Sequence, residues 1–380
     1  MLHRRQVFEG SGTESVFLWG ARQTGKSTLL KAAFPQAMYY DLLLSHEYQR
    51  LLSNPDSLRE SVLAKPNAEL VIIDEIQRLP MLLNEVHWLL SNTRTRVIMS
   101  GSSARKILRS ETNLLGGRAL RYELFPLVSA EIPDFDLLRA LNNGLLPRHY
   151  AVNQPKKLLN AYIGNYLRDE IAAEARLRNV AAFSRFLETA AFSNGEMVNY
   201  SNIAGDTGVS LPTVKEYFQI LEDTLLGRYV PAFRKKAKRR VILAPKFYLF
   251  DVGVANALLR RGRIESGSEI FGKAFEHFIY QEICAHSSYS DLHYPIAYWR
   301  TASQFEVDFV LGDHEVAVEV KGSNNIQPRH LSGLKAFAEE FKTRKQILVC
   351  NEPRMRKVDK ILVMPWKEFL SQLWSGDIVR

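Results

Sequence analysis

At 380 residues the chain is too long for one ordinary core, so two or three domains are expected; 46% hydrophobic and 24% charged residues mark a folded, soluble protein. No apolar run reaches the length a bilayer requires, and none follows the basic N-terminal residues, which excludes a membrane-spanning role and points to a cytoplasmic protein. Cys284 and Cys350 are too few and too isolated for a zinc centre or a disulfide framework, whereas the net charge of +9 favours polyanionic partners.

The first apolar run, residues 16–19, ends at glycine, and residues 29–34 have helical character. Between strand and helix, Gly20, Ala21, Arg22, Gln23, Thr24, Gly25, Lys26 and Ser27 satisfy G-x-x-x-x-G-K-[ST], with Thr28 next. Glycines allow backbone N–H groups to curl around phosphate, and the following helix aims its positive end at the anion. Lys26 is expected to neutralise β- and γ-phosphate charge, and the Ser27 hydroxyl to ligate magnesium. Residues 70–75 read as a buried strand ending in two carboxylates, Asp74 for magnesium and Glu75 as the general base that polarises the attacking water. Residues 38–41 and 97–99 supply further strands. The second leads into Ser100, Gly101, Ser102 and Ser103, where Ser100 is placed to sense the γ-phosphate. Arg118 follows Gly116 and Gly117 and precedes a strand at 119–124; it is a candidate arginine finger, acting in its own subunit or across a homo-oligomer.

Strands alternating with helices predict an α/β fold with a parallel sheet covered on both faces. Residues 20–28, 71–77 and 100–103 resemble the AAA-type P-loop ATPases of bacteria and archaea. A guanine-reading Asn-Lys-x-Asp motif does not occur, so ATP with magnesium is the expected ligand pair.

Residues 136–195 carry apolar side chains at helical spacing, including Leu158, Tyr162, Tyr166 and Leu167, and read as a helical lid or linker. Ser201 is positioned to cap a short helix, Gly208 to break it and Ser210 to cap a second, giving a helix-turn-helix. Residues 227–233 and 241–243 then read as two strands around the basic run Arg234, Lys235, Lys236, Ala237, Lys238, Arg239 and Arg240, which makes a winged helix. Thr213 and Lys215 would enter a DNA groove while the basic run contacts phosphates; the alternative is a protein-interaction element with a solvated hairpin.

Residues 271–285 predict a helix carrying Glu276, followed by strands at 297–300, 306–311 and 316–321. Asp308 lies on the second strand, and Glu319 and Lys321 share one face of the third because strand side chains alternate. Such a group can hold magnesium through Asp308 and Glu319 and activate water beside a phosphodiester. With a helix at 331–341 and a strand at 346–349, the order resembles restriction-endonuclease-like folds. Glu276, Asp308, Glu319 and Lys321 resemble the PD-(D/E)xK nuclease site.

Residues 247–253, 299–301 and 306–309 together resemble the prokaryotic AAA ATPase family that carries a C-terminal domain of unknown function, with Val252, Gly253 and Val254 standing where Gly-Leu is expected. That resemblance implies an ATPase domain at 1–135, a lid at 136–195, a winged helix at 196–260 and a nuclease-like α/β domain at 261–380. It implies an ATPase whose nucleotide state controls a module acting on nucleic acid. The alternative is an ATP-dependent switch whose C-terminal fold binds without cutting.

Overall fold

Ser15–Trp19 is apolar along nearly its whole length and becomes β1 of a parallel sheet because only a strand covered on both faces can bury such a run. The computed structural model describes residues 3–6, 8, 12, 14–65, 69–103, 105, 118–171, 177, 179–235 and 239–380. These residues form two compact units: 3–126 with 222–225, and 127–221 with 226–380.

In the N-terminal unit β1 is joined by β2 (Met38–Asp41), β3 (Leu70–Asp74), β4 (Arg96–Gly101) and β5 (Ala119–Glu123) in the spatial order β2-β3-β4-β1-β5. All pairings are parallel, so all five strands deliver their carboxyl ends to one edge. β4 lies between β1 and β3, which sets Trp19 opposite Gly101 and Asp74 opposite Ser100. Helices Lys26–Ala33, Ser45–Ser53, Ser57–Leu63 and Leu82–Asn92 contribute Leu30, Leu51, Leu58, Val62, Val86 and Leu89 to buried positions. The helix expected from residue 29 starts at Lys26, directly after Gly25 at φ 97°. Residues 45–63, for which no element was expected, form two helices.

The C-terminal unit begins with helices Leu137–Asn143, Pro147–Ala151, Lys156–Ala161 and Val180–Phe192, the third continuing as a π-helix over Tyr162–Glu170. Helices Tyr200–Thr207 and Leu211–Asp223 follow, separated by Gly208 at φ 68°. The cap of the first differs from the expected Ser201: the Asn199 side chain accepts from the Asn202 N–H at 3.1 Å. Ser210 does cap the second, accepting from the Thr213 N–H at 3.4 Å.

The expected hairpin is re-registered. β6 (Gly227–Val230) pairs antiparallel with β7 (Lys246–Leu249), not with residues 241–243. The connection runs instead along β8 (Ile296–Arg300), the end strand of a six-stranded mixed sheet. Phe233 N donates to Tyr298 O at 2.7 Å and Ile242 N to Arg300 O at 2.9 Å. The physical reason is edge protection, since an end strand otherwise presents a row of unpaired backbone groups. The ends of the basic run are engaged too: Lys235 pairs with Asp313 at 2.5 Å, and Arg239 with Glu340 at 2.8 Å and with Glu339. Lys236, Ala237 and Lys238 lie outside the described residues.

The large sheet adds β9 (Glu306–Leu311), β10 (Val316–Val320), β11 (Lys345–Cys350), β12 (Arg356–Val358) and β13 (Ile361–Pro365) in the order β12-β13-β11-β10-β9-β8. β8, β9 and β10 are antiparallel, and β10, β11 and β13 parallel. The 21-residue helix Glu269–Tyr289 buries Phe271, Phe275, Phe278 and Ile279 in the same cluster as Phe309, Val318 and Ile347.

The helix Val252–Leu258 is capped by buried Asp251, which accepts from Val254 N at 2.9 Å and from Leu145 N at 2.7 Å. A Cβ on Gly253 would overlap the backbone of Gly144, whose own φ is 77°. Overpacking against backbone costs about 1–3 kcal/mol. Gly253→Ala is therefore expected to lower the thermal midpoint of unfolding, and an unchanged midpoint would show that this approach is not needed.

Candidate functional site

The carboxyl edge of the parallel sheet gathers three ionisable groups out of water: Asp74 is 0%, Lys26 4% and Glu75 7% exposed. The loop between β1 and its helix is shaped by Gln23 at φ 65° and Gly25 at φ 97°, both left-handed, a region glycine enters freely and glutamine only under local constraint. A Cβ on Gly20 would come within 2.5 Å of Leu124 O, so the turn out of β1 has no room for a side chain. Thr24 Oγ1 donates to Ala21 O at 2.8 Å and closes the loop on itself.

Lys26 Nζ donates to Gly20 O at 2.7 Å and to Ala21 O at 3.2 Å. Burial pushes its pKa down, while Glu75 and Asp74 pull it back up. A buried ammonium whose hydrogen bonds go to neutral carbonyls of a glycine loop is a site an anionic ligand completes. Asp74 accepts from the Tyr39 hydroxyl at 2.6 Å on Oδ2 and from Ser100 Oγ on Oδ1. Burial and the Asp74 hydrogen bond raise the Tyr39 pKa. Ser27 and Asp74 are the expected magnesium ligands. This oxygen donor set suits magnesium, which takes one or two protein oxygens together with phosphate and water.

Glu75 is in the left-handed region, at φ 62° and ψ 43°. Gln77 Nε2 donates to its Oε2 and also to Ser102 Oγ at 3.0 Å, and Ser102 Oγ lies 3.4 Å from the same carboxylate oxygen. Arg118 Nη1 donates to Ser91 Oγ at 2.7 Å and lies 3.1 Å from His87 Nε2, both on the helix Leu82–Asn92. Gly116 and Gly117 lie outside the described residues. Sequence reasoning missed Arg4, whose guanidinium donates to Thr24 O and Phe125 O, each at 2.6 Å, and clamps the back of the loop. Tyr39 and Gln77 were also unforeseen.

In the C-terminal unit the register that sets Val318 opposite Phe309 brings Glu319 beside Asp308 on neighbouring antiparallel strands. Asp308 Oδ2 accepts from Val320 N at 2.8 Å, and Lys321 Nζ pairs with Glu319 Oε1 at 2.5 Å. Glu276 accepts from the Tyr248 hydroxyl at 2.5 Å. Glu276, Asp308, Glu319 and Lys321 therefore converge as their spacing suggests, but with an unexpected occupant. Lys246 Nζ lies 2.8 Å from Glu306, 3.4 Å from Glu276 and 3.8 Å from Asp308. Its burial opposes the charge, but Glu276, Asp308 and Glu306 outweigh that and hold its pKa well above the ordinary value. Burial and then Asp308 raise the pKa of Glu319.

Asp308 and Glu319, the expected metal pair, each have a partner within the chain. Asp308 is shared between an ammonium and a backbone amide, and Glu319 is tied to Lys321. Among the described residues no group of three or more His, Cys, Asp or Glu side chains is arranged to hold a metal ion. The missed residues had a local signal: Lys246 and Tyr248, like Glu306 and Asp308, stand two apart on a strand and share a face.

The helical part of the same unit holds an open cavity of about 1090 Å³ lined, among the described residues, by six cationic side chains, including Lys156, Arg261 and Arg263, and by the two carboxylates of Asp136 and Glu265. No helix among the described residues is long and apolar enough to cross a membrane.

Residues 12–132 match a family described as AAA domain, residues 134–265 one described as Domain of unknown function (DUF8612), and residues 271–369 one described as Domain of unknown function (DUF4143). The N-terminal unit is thus similar to AAA domains, and a domain of unknown function is matched in the C-terminal part of the chain, as expected. An uncharacterized protein of Haemophilus influenzae (strain ATCC 51907 / DSM 11121 / KW20 / Rd) is 22% identical over 295 residues, 70% of this chain and 72% of that protein. AMPPCP-bound DnaA from Aquifex aeolicus matches with a TM-score of 0.30 and 15% identity over 56% of this chain and 83% of its own. The Aeropyrum pernix ORC1 protein in complex with DNA matches with a TM-score of 0.24 and 15% identity over 65% and 86%. Likeness at such TM-scores assigns no function.

Removing Arg4 frees the Thr24 carbonyl and slackens the loop expected to receive phosphate. Losing a charge-assisted hydrogen bond costs about 1.5 kcal/mol, or roughly tenfold in affinity. Arg4→Ala is expected to raise the Kd for ATP by that factor in a titration of folded protein; an unchanged Kd would make the clamp dispensable.

Proposed function

We propose that the N-terminal unit binds ATP with magnesium and hydrolyses it. The observation that carries this reading is the convergence of buried Lys26, Asp74 and Glu75 beside a glycine-built loop. Backbone N–H groups of residues 20–28 receive the phosphates at the start of the helix Lys26–Ala33, where the helix dipole favours an anion. Lys26 exchanges its loop carbonyls for β- and γ-phosphate oxygens. Ser27 and Asp74 hold magnesium, which neutralises charge developing on the phosphates. Tyr39 and Ser100 aim the Asp74 carboxylate, so Ser100 acts on phosphate through Asp74. Glu75, steadied by Gln77 and Ser102, polarises the water that attacks the γ-phosphate.

General-base catalysis contributes about 10²- to 10⁴-fold. Glu75→Gln is therefore expected to keep ATP binding while turnover falls at least about a hundredfold, and Lys26→Ala to lose binding itself. Undiminished turnover in Glu75→Gln would assign the base elsewhere.

The nucleotide state is further proposed to govern a C-terminal unit that engages nucleic acid. Two versions exist, a nuclease acting through Glu276, Asp308, Glu319 and Lys321, and a module that binds without cutting. Lys246 among the carboxylates favours the second. The cationic cavity supports a polyanionic partner, since cationic side chains outnumber carboxylates among its described lining residues. Phosphate contacts each contribute about −0.9 to the slope of log K against log salt for duplex DNA. Lys156→Glu with Arg263→Glu is expected to flatten that slope by about 2 in fluorescence anisotropy with a DNA duplex. An identical slope in the double variant would remove the cavity from the interface.

A further inference from the structure

The carboxylate cluster of the C-terminal unit is a group of four acids that already has its cations. Glu306 is met by Lys246 at 2.8 Å and by Arg300 at 3.3 Å. Glu276 is met by Lys246 and by the Tyr248 hydroxyl, Asp308 by Lys246 and the Val320 amide, and Glu319 by Lys321. Glu319 Oε2, which is buried, has no hydrogen-bond partner. An ammonium offers three donors and accepts nothing, so one lysine can serve three carboxylates while remaining unable to join them as a metal ligand.

Lys246 is also not free to leave by rotation of a loose segment. β7 is paired with β6 on one side, while on the other Met197 bridges Lys246 and Asn194 bridges Phe247. Val198 N donates to Pro245 O and Gly195 N to Phe247 O, both at 2.8 Å. With its backbone pinned on both edges and its side chain 3% exposed, the ammonium is a fixed part of the cluster. A divalent ion ligated by Asp308 would have to sit beside this like charge and compete for the same oxygens.

We propose that Lys246 is the resident cation of this cluster, its ammonium standing where a divalent metal would otherwise bind, so that the folded protein takes up no divalent cation there. The inference rests on the non-cutting version of the function and gives it a cause. It also predicts a latent metal site, because removing the ammonium leaves Glu276 and Asp308 without their lysine and Glu306 with Arg300 alone.

The test is a manganese titration of the full chain without nucleotide, followed by the electron paramagnetic resonance signal of free Mn²⁺. Wild type and Asp308→Asn are expected to take up the same amount. Lys246→Met is expected to gain one site at least tenfold tighter than any in wild type, and Lys246→Met with Asp308→Asn to lose it again. Manganese uptake by wild type that Asp308→Asn abolishes would overturn the proposal, as would a folded Lys246→Met with no new site. Should Lys246→Met fail to fold, the wild-type and Asp308→Asn comparison decides alone. Plasmid cleavage with Mn²⁺ separates the two levels: Asp308-dependent uptake without cleavage defeats the resident lysine but leaves the non-cutting reading intact, whereas Asp308-dependent cleavage defeats both.

Discussion

Keeping Lys26, Asp74 and Glu75 out of water at one edge of a parallel sheet is the constraint to which the rest of the N-terminal unit answers. Burying an ion is costly unless it is paired and hydrogen-bonded, and each of the three has its own arrangement. Loop carbonyls receive the ammonium, Tyr39 and Ser100 hold Asp74, and Gln77 with Ser102 holds Glu75. The strand order makes this possible: only with β4 between β1 and β3 does Ser100 stand opposite Asp74. The arrangement sets an ammonium on one side, which the proposed function assigns to a polyphosphate, and two carboxylates on the other, which it assigns to metal and water.

The C-terminal unit solves the same electrostatic problem with a different result. Glu276, Glu306, Asp308 and Glu319 are brought together by one long helix and two neighbouring strands, and their charge is balanced by lysine and arginine from within the chain. Lys246 belongs to the same hairpin whose connection covers the exposed edge of β8. The hairpin therefore contributes twice to the large sheet, through backbone hydrogen bonds at its edge and through a cation in its carboxylate cluster.

Much of this was legible because it is local. The glycine loop, the strand ending in Asp74 and Glu75, and the alternation of Glu319 with Lys321 are written within a few residues, and all lie where the spacing places them. What escaped is long-range. Arg4 meets Phe125 across 121 residues, and Lys246 meets Glu276 across 30, distances at which spacing carries no register. The hairpin was misread for a related reason: residues 241–243 are apolar enough for a strand, but their partner is the edge of another sheet, not the strand just before them. Tyr39 was read only as part of a strand, since its role depends on β2 lying next to β3. β12, β13 and the helix Trp366–Trp374 lie beyond the last expected element.

The most direct measurement of the central claim is isothermal calorimetry with a non-hydrolysable ATP analogue, with and without magnesium, on folded wild-type chain. The account predicts saturable uptake at one site per chain that tightens when magnesium is present. Absence of saturable heat under both conditions would contradict it, because a buried ammonium resting on neutral carbonyls would then have no anion to receive.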